Sequence, residues 1–229
     1  MPLASPSALV ELRCQGLLFD MDGILISSIP AVERAWAHWC GLRGVDFAYA
    51  RSILHGCRAI DSVRRLRPDL DAQTEMKIIE DWEVSDGEGV RVLAGIPALL
   101  ASLPRERWVV VTSATARLAP ARMAQAGLAR PPRLVSGDDI VQGKPHPEPF
   151  LRGAAVLGFE PSQCVVFEDS VSGVAAGREA GCTVIATTFT NPAEKLAAAD
   201  YILPDLAGIR ATVLPGDEGI LLRFSPLGA

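Results

Sequence analysis

From residue 108 onward, short unbroken apolar runs alternate with stretches whose apolar positions recur at helical spacing. Alternation of the two periods marks strands separated by helices, and hence βαβ units laid into a parallel sheet. The run at 108–112 reads as a buried strand, followed by an Ala-rich helix over about 117–126 that Gly127 closes. A short strand near 133–135, a helix over 148–157, a strand at 164–167, a helix over 171–180 closed by Gly181, and a strand at 183–186 continue the series. One more strand, 16–19, lies far upstream and must join the same sheet for the pattern to close.

Between 30 and about 95 the pattern changes to four helical stretches, 31–40, 47–54, 60–66 and 73–82, with no convincing strand. Val32, Ala35, Trp36 and Trp39 share one helical face. This segment reads as an inserted helical module, so the chain divides into a core of 1–28 plus 96–229 and a helical unit of 29–95. The three tryptophans Trp36, Trp39 and Trp82 are assigned to the interior of that unit. Near the end, Gly216-Asp217-Glu218-Gly219 between apolar runs predicts a hairpin over 211–224.

Composition changes this picture little. With 229 residues, 49% hydrophobic and 21% charged, the chain is ordinary globular material able to bury a full core. A formal net charge of -5 offers no basic field for nucleic acid. Five scattered cysteines, an odd number with no CxxC pair, indicate neither a disulfide framework nor a zinc knuckle, and fit a reducing cytoplasm. Met1 to Arg13 lacks the pattern of a signal peptide, and no apolar run reaches the about eighteen residues of a membrane span, so no membrane role is expected. The expected state is a monomer or weak homodimer.

The candidate chemistry sits where strands end. The first strand runs into Asp20-Met21-Asp22-Gly23, and ligands of open parallel sheets bind at such ends. Asp20, ionised beside a divalent metal, is an oxygen nucleophile suited to attack on phosphorus, forming an aspartyl-phosphate. Asp22 can protonate the leaving alkoxide and then deprotonate water, with Gly23 supplying the turn that brings both acids to one site. Taken alone, the string is as well explained by an acidic turn. A second strand ends in Glu168-Asp169, and Mg²⁺ prefers carboxylates, phosphate oxygen and water, which Asp20 and Asp169 would help supply. Asp169 alone could simply cap the helix that Ser170 starts.

Two further signals follow the same rule. The 108–112 strand delivers Ser113, Ala114 and Thr115, whose hydroxyls and backbone N–H groups can bind phosphate oxygens. Gly143-Lys144-Pro145-His146-Pro147 holds a lysine in a stiff loop before a helix, where it would pair with Asp20 and the phosphoryl group. The order of nucleophile, hydroxyl, lysine and acidic pair argues against coincidence.

Those four segments resemble the motifs of the haloacid dehalogenase superfamily of phosphatases, over nearly the whole chain. Phe19-Asp20-Met21-Asp22-Gly23 is similar to its first motif, Val111-Thr112-Ser113 to its second, Gly143-Lys144-Pro145 to its third and Glu168-Asp169 to its fourth. The resemblance implies an α/β fold, a Rossmann-like parallel-sheet core with an inserted α-helical cap. It implies Asp20 as nucleophile, Asp22 as acid/base, and Ser113, with the Ala114 backbone, and Lys144 as phosphate-binding groups. It also implies Mg²⁺ held by Asp20, Asp22 through its backbone carbonyl, and the Glu168-Asp169 pair. Pro30-Ala31-Val32-Glu33-Arg34-Ala35-Trp36 and Leu54-His55-Gly56 resemble most the bacterial sugar phosphatases and the 2-deoxyglucose-6-phosphate and glycerol-phosphate phosphatases. Ile24 and Ser27 depart from the usual first motif, in which Thr or Val and then Asp are commoner.

A cap closing over the strand ends would exclude water during transfer and reopen for product, with hinges near 28–30 and 89–95. His55, Gly56 and Arg58, in the loop between two cap helices, are the expected substrate contacts, although His55 and Arg58 could equally be solvated surface. The expected reaction is Mg²⁺-dependent hydrolysis of a small-molecule phosphate monoester, a phosphorylated sugar or polyol. A phosphosugar mutase returning the phosphoryl group to a sugar is the alternative, and a receiver-like signalling module a more distant one.

Overall fold

The structure, a computed structural model, describes residues 9–54 and 56–227. Its centre is a six-stranded parallel sheet in the order β6-β5-β2-β7-β8-β9. The strands are β2 (Gly16–Phe19), β5 (Trp108–Val111), β6 (Leu134–Val135), β7 (Cys164–Glu168), β8 (Thr183–Thr187) and β9 (Tyr201–Leu203). Every residue of β2, β5 and β7 is buried, which is why these strands read as unbroken apolar runs. The alternation is still present between the two faces. Leu17, Phe19, Val110, Val165 and Phe167 fill one core, and Leu18, Val109, Val111 and Val166 the other.

The crossover helices are α6 (Leu118–Gln125), α7 (Glu148–Leu157) and α8 (Val171–Glu179), close to their expected spans. Gly127 and Gly181 follow α6 and α8 at positive φ, as expected of helix stops. Preceding β5 is α5 (Ile96–Ala101), a short helix outside the expected set. The hairpin expected near the end is present as β10 (Arg210–Val213) and β11 (Ile220–Phe224), and β11 also pairs antiparallel with β1 (Val10–Cys14). The sequence expectations contained neither β1 nor β9.

The four expected helices of the insert are α1 (Ile29–Arg43), α2 (Phe47–Leu54), α3 (Ala59–Leu66) and α4 (Ala72–Ser85). They enclose a hydrophobic cluster of their own, with Ala35, Trp36, Trp39, Leu54, Val63 and Ile79 at its heart. Trp39 is fully buried and donates its indole N–H to Glu75 at 2.8 Å. Trp82 departs from expectation: it is 37% exposed and stacks on His38 with ring centroids 4.0 Å apart. The stretch expected to hold no strand contains β4 (Arg91–Val92), which pairs with β3 (Ile26–Ser27). That two-rung ladder holds the outgoing and returning connections of the insert side by side.

Candidate active site

β2 sits where the strand order reverses, with β5 and β6 on one side and β7, β8 and β9 on the other. Register makes the site. Phe19 lies opposite Phe167 in β7 and opposite Val110 in β5, so Asp20 and Glu168 leave the sheet as neighbours. The Phe19 and Phe167 rings stack at 4.6 Å, and the Asp20 amide donates to the Phe167 carbonyl at 3.0 Å, fixing that alignment. One ligand oxygen each from Asp20, Glu168 and Asp169 lies within 4.8 Å of the others, and all three residues are buried.

Lys144 completes this cluster from the loop ahead of α7. Its Nζ donates to Asp20 Oδ1 and to Glu168 Oε1, both at 2.6 Å, and the side chain is 1% exposed. Burial opposes its charge, but the two carboxylates outweigh that and raise its pKa. Burial pushes the Asp20 carboxyl up to about 7, with Lys144 opposing and Glu168 adding to the rise. Asp169 is raised as well, by burial first and then by Glu168 and Asp20. Three buried acids with one lysine therefore leave an excess of negative charge that a divalent cation would relieve.

The acids are not equivalent. Glu168 gives Oε1 to Lys144, while Oε2 accepts the Asp169 and Ser170 amides and the Ser170 hydroxyl. It offers an oxygen to the three-acid group, as expected of a member of the metal set, and also holds Lys144 and the turn in place. Asp169 accepts the Thr190 hydroxyl on Oδ2 and presents its carboxylate beside Gly23. Gly23 has φ +87°, and a Cβ there would lie 1.8 Å from Asp169 Oδ2, so both the turn and the close approach require glycine.

Asp22 lines the same cavity but lies outside the three-acid group. It accepts the Ser28 hydroxyl on Oδ1 and Arg122 Nη1 on Oδ2 at 2.7 Å. Both carboxylate oxygens are thus engaged, and the expected metal contact of Asp22 is through its backbone carbonyl. Arg122, on α6, reaches on to Glu83 of α4 at 2.7 Å. Burial disfavours the Arg122 charge, yet Asp22 and Glu83 keep its pKa above the ordinary value. Burial pushes Glu83 upward, with Arg122 opposing.

Ser113 lies at the end of β5 and donates its hydroxyl to the Gly56 carbonyl at 3.1 Å. The Ala114 amide, expected to be free for phosphate, donates to the Thr112 hydroxyl at 3.1 Å, because the chain turns tightly there. Gly56 itself has φ +79° and sits against Ser170 and Ser172, so the α2–α3 loop reaches down onto the strand ends. Arg58 is spent elsewhere. It binds Asp61 at 2.7 Å and donates to the carbonyls of Ile140 and Val141 at 3.0 and 2.9 Å, away from the cavity. His55, the third expected contact, lies outside the described residues.

A cavity of about 100 Å³ lies between the strand ends and the helical insert. Asp20, Asp22, Asp169, Ser113 and Arg122 line it from below, and Trp36, Leu54, Met76, Glu80 and Glu83 from above. Arg122, Glu80, Glu83 and Thr190 are absent from the sequence expectations. The signal for Arg122 was present: it occupies an apolar position of α6 beside Leu118, Ala119 and Met123, all buried. Glu80 and Glu83 likewise sit on the buried face of α4 with Ile79.

A family model described as haloacid dehalogenase-like hydrolase matches residues 14–181. Hexitol phosphatase A of Escherichia coli (strain K12) is 38% identical over 215 residues, covering 92% of this chain and 100% of that protein. Glycerol-1-phosphate phosphohydrolase 2 of Saccharomyces cerevisiae is 34% identical over 215 residues, covering 88% of this chain and 86% of its own length. Among solved structures, CbbY from Rhodobacter sphaeroides in complex with phosphate superposes with a TM-score of 0.75 at 23% identity, covering 85% of this chain and 96% of that one. That last likeness is one of fold.

Proposed function

The chain belongs to the haloacid dehalogenase-like hydrolases and is a phosphatase, and from that premise we propose that it hydrolyses a small phosphorylated sugar or polyol through Asp20. The observation that carries the reading is the pair Lys144 Nζ to Asp20 Oδ1, 2.6 Å, buried at the floor of the cavity with Asp169 alongside. Lysine holds one oxygen of Asp20, so the other is directed to attack phosphorus in line with the leaving oxygen.

The hard oxygen donors of Asp20 and Asp169 fit Mg²⁺, which when bound offsets the repulsion between carboxylate and phosphate dianion. Ser113 and Lys144 hold the phosphoryl oxygens, the Ser113 hydroxyl exchanging the Gly56 carbonyl for phosphate. Asp22, oriented by Arg122 and Ser28, gives the leaving oxygen a proton and takes one from the water that cleaves the aspartyl-phosphate. Residues 29–95 act as a cap, whose paired connections at Ile26–Ser27 and Arg91–Val92 form the hinge. The cysteines are all free, which supports a reducing cytoplasm as its place.

A screen for phosphate release over hexitol, glycerol and deoxysugar phosphates with Mg²⁺ tests this reading. Turnover that EDTA abolishes supports it. Silence on every monoester overturns it, and dependence on a sugar bisphosphate would indicate a mutase instead.

A further inference from the structure

The cavity above Asp20 is rich in acids and poor in cations. Asp20, Asp22, Glu80, Glu83 and Asp169 all face it, while Arg122 is its one Lys or Arg among the described residues. Neither buried cation nearby is spare. Arg122 already serves Asp22 and Glu83, and Lys144 serves Asp20 and Glu168.

On the cap side, α4 presents Glu80 and Glu83 at helical spacing toward the cavity. Glu83 is 4% exposed; it gives Oε1 to Arg122, and its Oε2 accepts no hydrogen bond among the described residues. Glu80 takes the Thr115 hydroxyl on one oxygen and Arg117, at 2.8 Å, on the other, which leaves each oxygen a further lone pair. The rest of the cap lining is apolar, with Val32, Trp36 and Leu54 from α1 and α2, and Met76 beside the two acids on α4. Beyond the groups that hold the phosphoryl oxygens, such a chamber offers hydroxyls, carboxylate acceptors and hydrocarbon, but no Lys or Arg not already paired with carboxylates.

We infer that Glu80 and Glu83 read the alcohol half of the substrate, accepting its hydroxyl protons and excluding any second anionic group. The enzyme accordingly takes neutral polyhydroxy monophosphates and refuses phospho-acids. The inference rests on the phosphatase reading above and adds the specificity of the same site. A substrate hydroxyl satisfies the buried Glu83 oxygen, whereas a substrate carboxylate is desolvated against like charge without a free cation.

Glycerol 3-phosphate and 3-phosphoglycerate test it, because they differ only in a hydroxymethyl group replaced by carboxylate; para-nitrophenyl phosphate serves as a reference ester. With Mg²⁺ present, the wild type is expected to favour glycerol 3-phosphate by about 100-fold or more in kcat/KM. Glu83→Gln and Glu80→Gln should each narrow that ratio by about tenfold, through better turnover of the acid. Two variants guard against one failing to fold, and thermal melts identify any that does. Comparable hydrolysis of the two esters by the wild type, or an unchanged ratio in both folded variants, overturns the inference alone. Phosphate release from none of the three esters, nor from any hexitol or deoxysugar phosphate, brings down the phosphatase reading, and this inference with it.

Discussion

Two buried cations stand a short way apart in this molecule, and each bridges two carboxylates, yet they differ in where those carboxylates come from. Lys144 joins Asp20 and Glu168, both at the ends of adjacent strands of one sheet. Arg122 joins Asp22, on the turn after β2, to Glu83 on a helix of the insert. The first arrangement is fixed by strand register and stays intact while the sheet is folded. The second spans the boundary between core and insert, so it depends on how the two pack together. One cluster holds charge within a single sheet, and the other ties a helix of the insert to the turn that carries Asp22.

Removing Lys144 should show the larger effect. Lys144→Met leaves Asp20 and Glu168 facing each other without a counter-charge, and should lower stability by about 3–5 kcal/mol while eliminating turnover. Chemical denaturation of the metal-free protein together with a phosphate-release assay checks both. If Lys144→Met matched the wild type in stability, the sheet-end cluster would not be the tightly coupled unit described.

Arg122→Met comes next. Asp22 keeps the Ser28 hydroxyl and is partly exposed, so less stability is at stake. Turnover should fall by about 10²-fold as Asp22 loses its orientation, a loss visible in kcat. An effect on KM alone would separate Arg122 from the proton transfers.

Arg58→Ala should act more mildly still. Arg58 ties the α2–α3 loop to the Ile140 and Val141 carbonyls, just ahead of Lys144. Its loss is expected to change kcat and KM together by about tenfold or less, as a loosened closure does, without altering the order of preferred substrates. A changed substrate order would restore Arg58 as a direct contact, which the sequence alone suggests.

The smallest effect concerns pH. Burial raises Asp20 to about 7, and raises Asp169 and Glu83 as well. A carboxyl with a higher pKa in the fold than in the unfolded chain holds its proton more tightly when folded. Its contribution is therefore fully present below the ordinary carboxylate range and is lost as pH rises through the folded value. In EDTA, the melting temperature should fall between about pH 5 and pH 7.5, with a shallower slope in Asp20→Asn. Mg²⁺ should restore the loss at the upper end, since it favours the ionised acids. A melting temperature that rises across that interval would contradict the burial argument.

The contrast between the two clusters also marks what a reader of the sequence can see. A strand of a parallel sheet is an apolar run that stops at its first polar residue, so Asp20, Ser113 and Glu168-Asp169 announce themselves at the ends of such runs. Lys144 is legible from its stiff loop before a helix. Arg122 and Glu83 sit among apolar neighbours on α6 and α4, and which helices meet is set by the docking of the insert rather than by either segment. β1 was missed because its partner, β11, lies some two hundred residues downstream, with Val10 opposite Phe224. Arg58 stays ambiguous in sequence because a cationic loop residue looks the same whether it faces a ligand, solvent or, as here, the Ile140 and Val141 carbonyls.

Every step proposed for this site depends on Asp20 accepting the phosphoryl group. Acid-quenched turnover of a hexitol phosphate with Mg²⁺, followed by peptide mass spectrometry, tests it directly. The expected result is one phosphoryl group on the peptide containing Asp20 in the wild type, with no adduct and no phosphate release in Asp20→Asn. Sustained phosphate release by Asp20→Asn would contradict it.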